Sequence, residues 1–221
     1  MAYSERMQVN IPVFKTEDDL SIISRIIRNR CGETKARVLA RRLITKFTDI
    51  GKILSAEPDE LKTVSGICDD IAEEIALLRD IAFALARRPL EETDVLDNCG
   101  AVFSYLRMLL TNEKREQFHV LYLNKNFRLI NHKCHQIGTV DHVTVYPREV
   151  MRHALSCHAC SIILVHNHPS GNVLPSQDDF NITARLVQIG EFLGITVCDH
   201  IIVAGGQHYS FTQEGVMPSG I

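Results

Sequence analysis

The sequence of 221 residues lacks tryptophan, a long apolar run and an excess of either charge. The missing tryptophan excludes no class of protein. No apolar stretch approaches the roughly 18 residues that a membrane span needs, and the start MAYSERMQVNIPVFK lacks the apolar segment of a signal peptide. The net charge of -3 excludes a molecule that is basic over its whole surface, although a local basic patch is compatible with it. We therefore expect a cytoplasmic protein without a membrane partner.

Histidine is absent from the first 118 residues, whereas ten histidines follow. The first part also differs in its pattern, because apolar residues recur at three-to-four spacing from Glu17 to about Arg88, which is typical of helices. A proline then introduces the acidic segment 89–93, which predicts a linker. The seven cysteines are an odd number scattered through apolar stretches, and this favours reduced thiols. We predict a small all-helical domain over residues 1–90 and a second domain over residues 98–221.

The second domain alternates between strand and helix patterns. A short helix is expected from Asn98 to Leu110, and two β-rich runs joined by a turn at residues 124–126 predict a hairpin. Further elements follow in the order of helix, buried strand, long helix, strand and final strand: Pro147 to about Cys160, SIILVH, Gln177 to Leu193, ITVCDHIIVAG and HYSF. The layout predicts an α/β (α+β) fold.

The loop after SIILV carries the residues that point to chemistry. His166 and His168 are two apart at the end of a predicted strand, so their side chains face the same side. Two imidazoles on one side can bind one metal ion, and Asp179, at the start of the next predicted helix, can supply a third ligand. The sequence therefore predicts a metal site formed by His166, His168 and Asp179.

Each part of this motif also has a structural interpretation. Ser176 lies three residues before Asp179, which is the spacing of an N-terminal capping box. Two histidines and one carboxylate, however, leave one tetrahedral position open, as in catalytic zinc sites, whereas structural zinc sites are normally closed by four protein ligands. Zinc lowers the pKa of bound water to roughly 7, and a nearby carboxylate can then move the proton. The combination favours a catalytic Zn²⁺ site.

The motif resembles that of the JAMM (MPN+) metalloproteases, in which His-x-His-Pro is followed by Ser and, three residues later, by Asp. The string HNHPSGNVLPSQDD, with the preceding YPREV and the later DHIIVAGG and YSF, resembles the bacterial RadC family in particular. This resemblance covers nearly the whole chain. It implies a cytidine-deaminase-like JAMM fold, a β-sheet flanked by helices, with Zn²⁺ bound by His166, His168 and Asp179.

The resemblance also implies catalytic roles for two further residues. Ser176 would help to stabilise the oxyanion, and a glutamate just before the first strand would act as the general base. By position this glutamate is Glu116, with Glu113 and Glu149 as alternatives. Glu149 also fits the first turn of a helix, where the helix dipole favours a carboxylate. The implied activity is metal-dependent hydrolysis of a peptide or isopeptide bond in a protein substrate.

Other histidines and cysteines of the second domain have simpler interpretations. Cys157 and Cys160 have Cys-x-x-Cys spacing but no second pair, so we expect both to pack in the core. His200 is expected to be a hydrogen-bonded neighbour of the sheet rather than a ligand. Three histidines in the hairpin and the following loop are expected to face solvent: His132, His135 and His142.

The first domain supports a different hypothesis. LKTVSGICDDIAEEIALL resembles a helix-hairpin-helix, whose turn offers backbone N–H groups to a DNA phosphate. The family pattern Gly-Ile-Gly is Gly66-Ile67-Cys68 here, and Asp69 and Asp70 follow. Residues 25–46 hold eight basic residues against one acidic residue, while residues 50–97 hold five against twelve, so the two segments can also simply pack together. The alternative to a hydrolase is thus a DNA- or protein-binding module linked to DNA repair, with a structural or vestigial metal site.

Overall fold

The computed structural model of the chain describes residues 18–138 and 145–219. The chain forms two units, and the boundary between them in the sequence lies between Ala76 and Leu77. The domain limits expected from the sequence, 1–90 and 98–221, stay a prediction. Within the described residues, no helix combines the length and the apolarity that a membrane span requires.

Amphipathic helices form the described part of the first unit. They are α1 (Asp19–Cys31), α2 (Glu33–Phe47), α3 (Ile50–Ser55), α4 (Pro58–Lys62) and the start of α5 (Asp69–Glu92). Their apolar faces meet in one core that includes Ile23, Leu39, Leu43 and Ile71. The helical pattern read from the sequence is confirmed.

The turn between α4 and α5 is the segment that resembles a helix-hairpin-helix. Gly66 has φ 96°, and a Cβ there would lie 2.8 Å from a methyl group of Leu39, so only glycine fits. Lys62 forms ion pairs with Asp59 and Asp69 at 2.8 and 2.9 Å. The N-terminus of α5 thus already carries carboxylates, and DNA binding by this turn stays a prediction.

The expected linker at residues 89–93 is wrong. Pro89 lies inside α5, which continues to Glu92. A proline lacks the N–H that would bond one turn back and normally interrupts a helix. Here Leu90 is buried in an apolar core, and the amide of Thr93 donates to the Pro89 carbonyl at 3.0 Å. This burial and bonding favour continuation of the helix past the proline.

A five-stranded sheet organises the second unit. The elements are α6 (Cys99–Leu110), β1 (Gln117–Leu123), β2 (Leu129–Ile137), α7 (Pro147–Ser156), β3 (Ser161–Asn167), α8 (Gln177–Leu193), β4 (Thr196–Ala204) and β5 (Gln207–Ser210). The described strands lie in the order β2-β1-β3-β4-β5; β3 and β4 are parallel, and the other described neighbours are antiparallel. A parallel pair needs a crossover, and α8 supplies it. The α/β class expected from the sequence is confirmed.

Side chains alternate between the two faces of the sheet. Each face of the central strands packs in an apolar core of its own. Leu121 and Ile163 face a core shared with Leu106 of α6. Their neighbours Val120 and Ile162 belong to a second core, which contains residues of α7 and α8. One strand register therefore assigns each side chain near the end of β3 to one face or the other.

Helix α7 ends earlier than the sequence suggested. It stops at Ser156, and His158 takes a left-handed conformation with φ 57°. The backbone of Cys160 then donates to the Leu123 carbonyl at 2.9 Å, next to the start of β3. Cys157 is half-buried and Cys160 is exposed. The expectation that both thiols pack in the core is wrong for Cys160, because the chain turns before it.

A chain of hydrogen bonds crosses the hairpin formed by β1 and β2. The hydroxyl of Tyr105 lies 2.7 Å from Nδ1 of His132, and Nε2 of His132 lies 2.9 Å from Nδ1 of His119. Nε2 of His119 lies 2.9 Å from Oε1 of Gln117. The Gln117 amide in turn donates to the Glu113 carboxylate, which can only accept. Because burial lowers the pKa of both imidazoles, the rings are neutral, and this acceptor then fixes the direction of the whole chain, so that every donor points towards Glu113.

Burial of these imidazoles has an electrostatic consequence. It lowers the pKa of His119 to about 3 and, together with Arg87, the pKa of His132 to about 4. His135, further along β2, is half-buried and bonds to the hydroxyl of Tyr122. The expectation that His132 and His135 face solvent is therefore wrong, while His142 lies outside the described residues.

The depressed pKa values of His119 and His132 predict a loss of stability in mild acid. An unfolded histidine binds a proton below pH 6.5, whereas these two stay neutral in the fold, so each should destabilise the protein by roughly 1–2 kcal/mol at pH 5. The double variant His119→Gln/His132→Gln should lose less stability between pH 7 and pH 5, measured by urea unfolding. His158→Gln, at an exposed position, is the control and should leave the pH dependence as it is. An unchanged pH dependence in the double variant would contradict this account.

Candidate metal centre

Two imidazoles meet at the carboxyl end of β3. His166 is 1% exposed and is the penultimate residue of the strand, and His168 follows the strand. The amide of His168 still donates to the Val203 carbonyl of β4 at 2.9 Å, so the extended backbone continues past the strand end. The Nε2 atoms of the two rings lie 2.8 Å apart. The same-side placement expected from their spacing is confirmed.

Asp179 faces both imidazoles from the first turn of α8. Its Oδ1 lies 3.1 Å from Nε2 of His166, and its Oδ2 lies 3.6 Å from Nε2 of His168. Ser176 is the N-cap of α8 and forms the capping box with Asp179. Both the amide and the hydroxyl of Ser176 donate to Oδ2 of Asp179, each at 2.7 Å. The cap therefore holds the carboxylate against the imidazoles. The fold brings together the four residues expected from the sequence, namely His166, His168, Ser176 and Asp179.

The partner of His168 Nδ1 determines which nitrogen of this ring carries the proton. Nδ1 lies 2.7 Å from the carbonyl oxygen of Asn172, which can only accept a hydrogen bond. The Nδ1 atom of His168 must therefore be the donor. In the neutral ring this leaves a lone pair on Nε2, the atom that faces His166 and Asp179.

A longer chain of hydrogen bonds fixes the proton of His166. The Thr183 hydroxyl donates to the backbone carbonyl of Asp179, one turn earlier in α8, and so accepts from Nδ1 of His200 at 2.6 Å. His200 is fully buried, and this burial lowers its pKa well below the usual value, so the ring is neutral. Its Nε2 then accepts from Nδ1 of His166 at 2.8 Å. In its neutral form the second ring therefore also has its lone pair on Nε2.

Three electron-pair donors thus converge on one point: Nε2 of His166, Nε2 of His168 and the carboxylate of Asp179. Burial would raise the pKa of Asp179, but the imidazoles of His166 and His168, when protonated, together with Ser176 outweigh this and hold the pKa well below its usual range. Burial would likewise lower the pKa of His168, but Asp179, Asn172 and Glu116 raise it above the ordinary value. The site attracts positive charge, which a proton or a metal ion can supply.

The spacing of the donors fits a small tetrahedral ion. Ligands at about 2.0–2.1 Å from a tetrahedral zinc ion lie roughly 3.3 Å from one another. Here the two Nε2 atoms lie 2.8 Å apart, Oδ1 of Asp179 lies 3.1 Å from Nε2 of His166, and the other oxygen, Oδ2, lies 3.6 Å from Nε2 of His168. The two imidazoles and the carboxylate therefore form a set of donors of the right kind and separation to hold such an ion.

Glu116 provides a second carboxylate beside the two histidines. Its oxygen and the ring nitrogens of His166 and His168 all lie within 4.8 Å of one another, so these three residues also form a group able to hold a metal. Glu116 is half-buried and directly precedes β1. Of the two alternatives, Glu113 accepts the amide of Gln117, and Glu149 lies in the first turn of α7 with Arg152 at 2.5 Å. The described contacts thus give both alternatives other partners.

Two residues behind the imidazoles were missed as functional by sequence reasoning. His200 was expected to be a satisfied neighbour of the sheet, and its contacts confirm this, but its role in orienting His166 was not foreseen. Thr183 was not singled out. A signal for Thr183 exists, because it lies four residues after Asp179 and so on the same face of α8. Its pairing with His200 depends on how β4 packs against α8, which local patterns do not contain.

Comparisons with known proteins agree with this geometry. The family model of the RadC-like JAB domain matches residues 96–216. A UPF0758 protein of Rhodobacter capsulatus is 36% identical over 199 residues, which cover 90% of this chain and 93% of the relative. A UPF0758 protein of Ruegeria pomeroyi is 35% identical over 199 residues, covering 90% and 89%. Together with the fold, these matches show that the chain belongs to the RadC family and carries a RadC-like JAB domain.

Proposed function

We propose that this protein is a zinc-dependent hydrolase of the JAMM type that cleaves peptide or isopeptide bonds. The observation that carries the proposal is the convergence of two imidazole lone pairs and the Asp179 carboxylate, with the carboxylate of Glu116 beside them. A site with three protein ligands keeps one position for water, as catalytic zinc sites do. Membership of the RadC family, with its JAB domain, is compatible with this activity.

The metal would be held by His166, His168 and Asp179. Zinc, when bound, acts as a Lewis acid and makes a hydroxide available near neutral pH. We assign Asp179 rather than Glu116 as the third ligand because the Ser176 cap fixes the Asp179 carboxylate against both imidazoles. Glu116, within 4.8 Å of the ring nitrogens, is then left to move protons.

Glu116 and Ser176 have the two remaining roles, proton transfer and stabilisation of the oxyanion. Glu116 takes a proton from the attacking water and returns it to the leaving amine, as a general base and then a general acid. Ser176 is assigned to the developing oxyanion. In the structure its hydroxyl donates to Asp179, so it would have to turn towards the substrate to take this role. The substrate is a protein or peptide with an amide bond accessible to this end of the sheet.

The first unit gives weaker support to the DNA-binding alternative. Asp69 and Asp70 occupy the first turn of α5, where a phosphate would have to bind, and Lys62 is paired with Asp69. Arg42, in the basic segment, donates to the carbonyl of Ser65 at 2.7 Å. Lys62 and Arg42 are thus bonded to groups of the protein itself, and we therefore favour the hydrolase.

Replacing the general base should separate metal binding from catalysis. In Glu116→Gln we expect about one zinc ion per chain, as in the wild type, while hydrolysis of a fluorogenic peptide or isopeptide probe falls by about 10²–10⁴-fold. Zinc is measured by elemental analysis and hydrolysis by fluorescence. Glu149→Gln removes an exposed carboxylate paired with Arg152 and is the matched control. Full activity in Glu116→Gln, or an equal loss in Glu149→Gln, would refute the assignment.

The hydrogen-bond chain behind His166 should contribute to zinc affinity. Thr183→Val keeps the shape of the side chain but removes the hydroxyl that fixes His200, and loss of such an outer partner typically weakens metal binding by about 10–100-fold. Affinity is measured by competition with a chromogenic chelator. Thr45→Val is the control, since Thr45 makes the same hydroxyl bond to the carbonyl one turn earlier, Arg41, at 2.8 Å on an exposed helix face. Equal zinc affinities in the wild type and Thr183→Val would contradict the proposed role.

A further inference from the structure

Asn167 lies between the two metal-site histidines but takes no part in their cluster. It is 2% exposed and is the last residue of β3. Since side chains alternate along a strand, its amide points to the opposite side of β3 from His166 and His168. A buried amide has hydrogen-bonding groups that must be satisfied by the protein.

The bonds of Asn167 all reach one segment, the stretch that leads into β1. Its Oδ1 accepts from the backbone amide of Gln117 at 2.8 Å. Its Nδ2 donates to the backbone carbonyl of Arg115 at 3.0 Å and approaches that of Glu113 at 3.5 Å. The three contacts lie on either side of Glu116 in the sequence.

The strand pairing explains why a side chain is needed at this point. The described register of β1 against β3 begins at Phe118, which is paired with His166. Residues before Phe118 therefore have no strand partner on the β3 side. The side-chain amide of Asn167 offers an acceptor and two donors, and so takes the place of a strand partner for the backbone from Gln117 back to Glu113.

The backbone of Glu116 is also bonded to the residue that follows β2. Its backbone carbonyl accepts from the amide of Gly138 at 2.8 Å. The neighbouring Gln117 side chain is also fixed, because it bonds to both Glu113 and His119. Within this arrangement the side chain of Asn167 extends the connection between the two strands beyond Phe118, to the segment that carries Glu116.

We propose that Asn167 is a positioning residue, whose amide fixes the segment carrying Glu116 against the end of β3 and so sets where its carboxylate stands beside the two imidazoles. The consequence of this positioning for catalysis rests on the proposed function. The positioning itself is a property of the fold and can be tested without any activity.

Two substitutions separate the two halves of the amide. Asn167→Ala removes all of its bonds. Asn167→Asp keeps an acceptor for the amide of Gln117 but loses both donors and places a carboxylate against the carbonyl of Arg115. Asn124→Ala is the matched control, because the side chain of Asn124 likewise bonds to the backbone, accepting the amides of Asn126 and Arg128, at the opposite end of β1.

The primary measurement is residue-resolved amide hydrogen exchange of the metal-free full chain. In Asn167→Ala we expect exchange at Gln117 to accelerate by at least about 10-fold, since local opening governs exchange of such an amide. In Asn167→Asp this amide should stay protected, and in Asn124→Ala it should be unchanged. Unaltered exchange at Gln117 in Asn167→Ala would overturn the proposal, as would a general acceleration along β1 in all three variants.

A double-mutant comparison tests the link to Glu116. If Asn167 acts through Glu116, Asn167→Ala should slow hydrolysis of the fluorogenic probe in the wild type but cause no further loss in Glu116→Gln. Zinc affinity should change by less than about 3-fold, because the bonds of Asn167 do not involve Asp179 or the imidazoles. Additive losses in the double variant would contradict the positioning role. If the wild type hydrolyses no probe, the proposed function fails, whereas the exchange result still decides the role of Asn167.

Discussion

The constraint on which the site depends is the direction of the hydrogen bonds behind its two imidazoles. Both directions are set by backbone carbonyls, those of Asn172 and Asp179, which can only accept. They place a proton on Nδ1 of His168 and of His166, so that the neutral rings have lone pairs on both Nε2 atoms. Together with the Asp179 carboxylate, these lone pairs would repel one another unless positive charge lay between them. The attraction of the site for positive charge, from a proton or a metal ion, thus follows from the surroundings of the histidines as well as from their identity.

The fold serves this constraint by bringing several elements to one end of the sheet. β3 delivers the two histidines, the capped start of α8 delivers Asp179, and β4 supplies His200 behind them. The segment before β1 brings the carboxylate of Glu116 beside the imidazoles. Asp179 contributes twice, because its carboxylate faces the site while its carbonyl anchors the chain through Thr183 and His200. Helix and strand are thereby coupled at the site by hydrogen bonds.

Much of the fold and the centre of the site could be predicted from the sequence because both depend on local patterns. The spacing of His166 and His168 predicts that they share a side, and the spacing of Ser176 and Asp179 predicts the cap. The bounds of α8 also follow directly from the sequence. Contacts between elements were not predictable in this way. The sequence gives no local sign that His200 contacts His166, that Leu90 is buried and α5 continues past Pro89, or that the hairpin histidines form a buried chain.

Anomalous diffraction at the zinc absorption edge would show directly whether His166, His168 and Asp179 bind one metal ion. Crystals of the full-length protein grown with equimolar Zn²⁺ would place the ion without any assumption about substrate. We expect one peak between Nε2 of His166, Nε2 of His168 and the carboxylate of Asp179, with Glu116 outside the ligand set. Absence of a peak there, or an ion bound by Glu116 with Asp179 turned away, would contradict it.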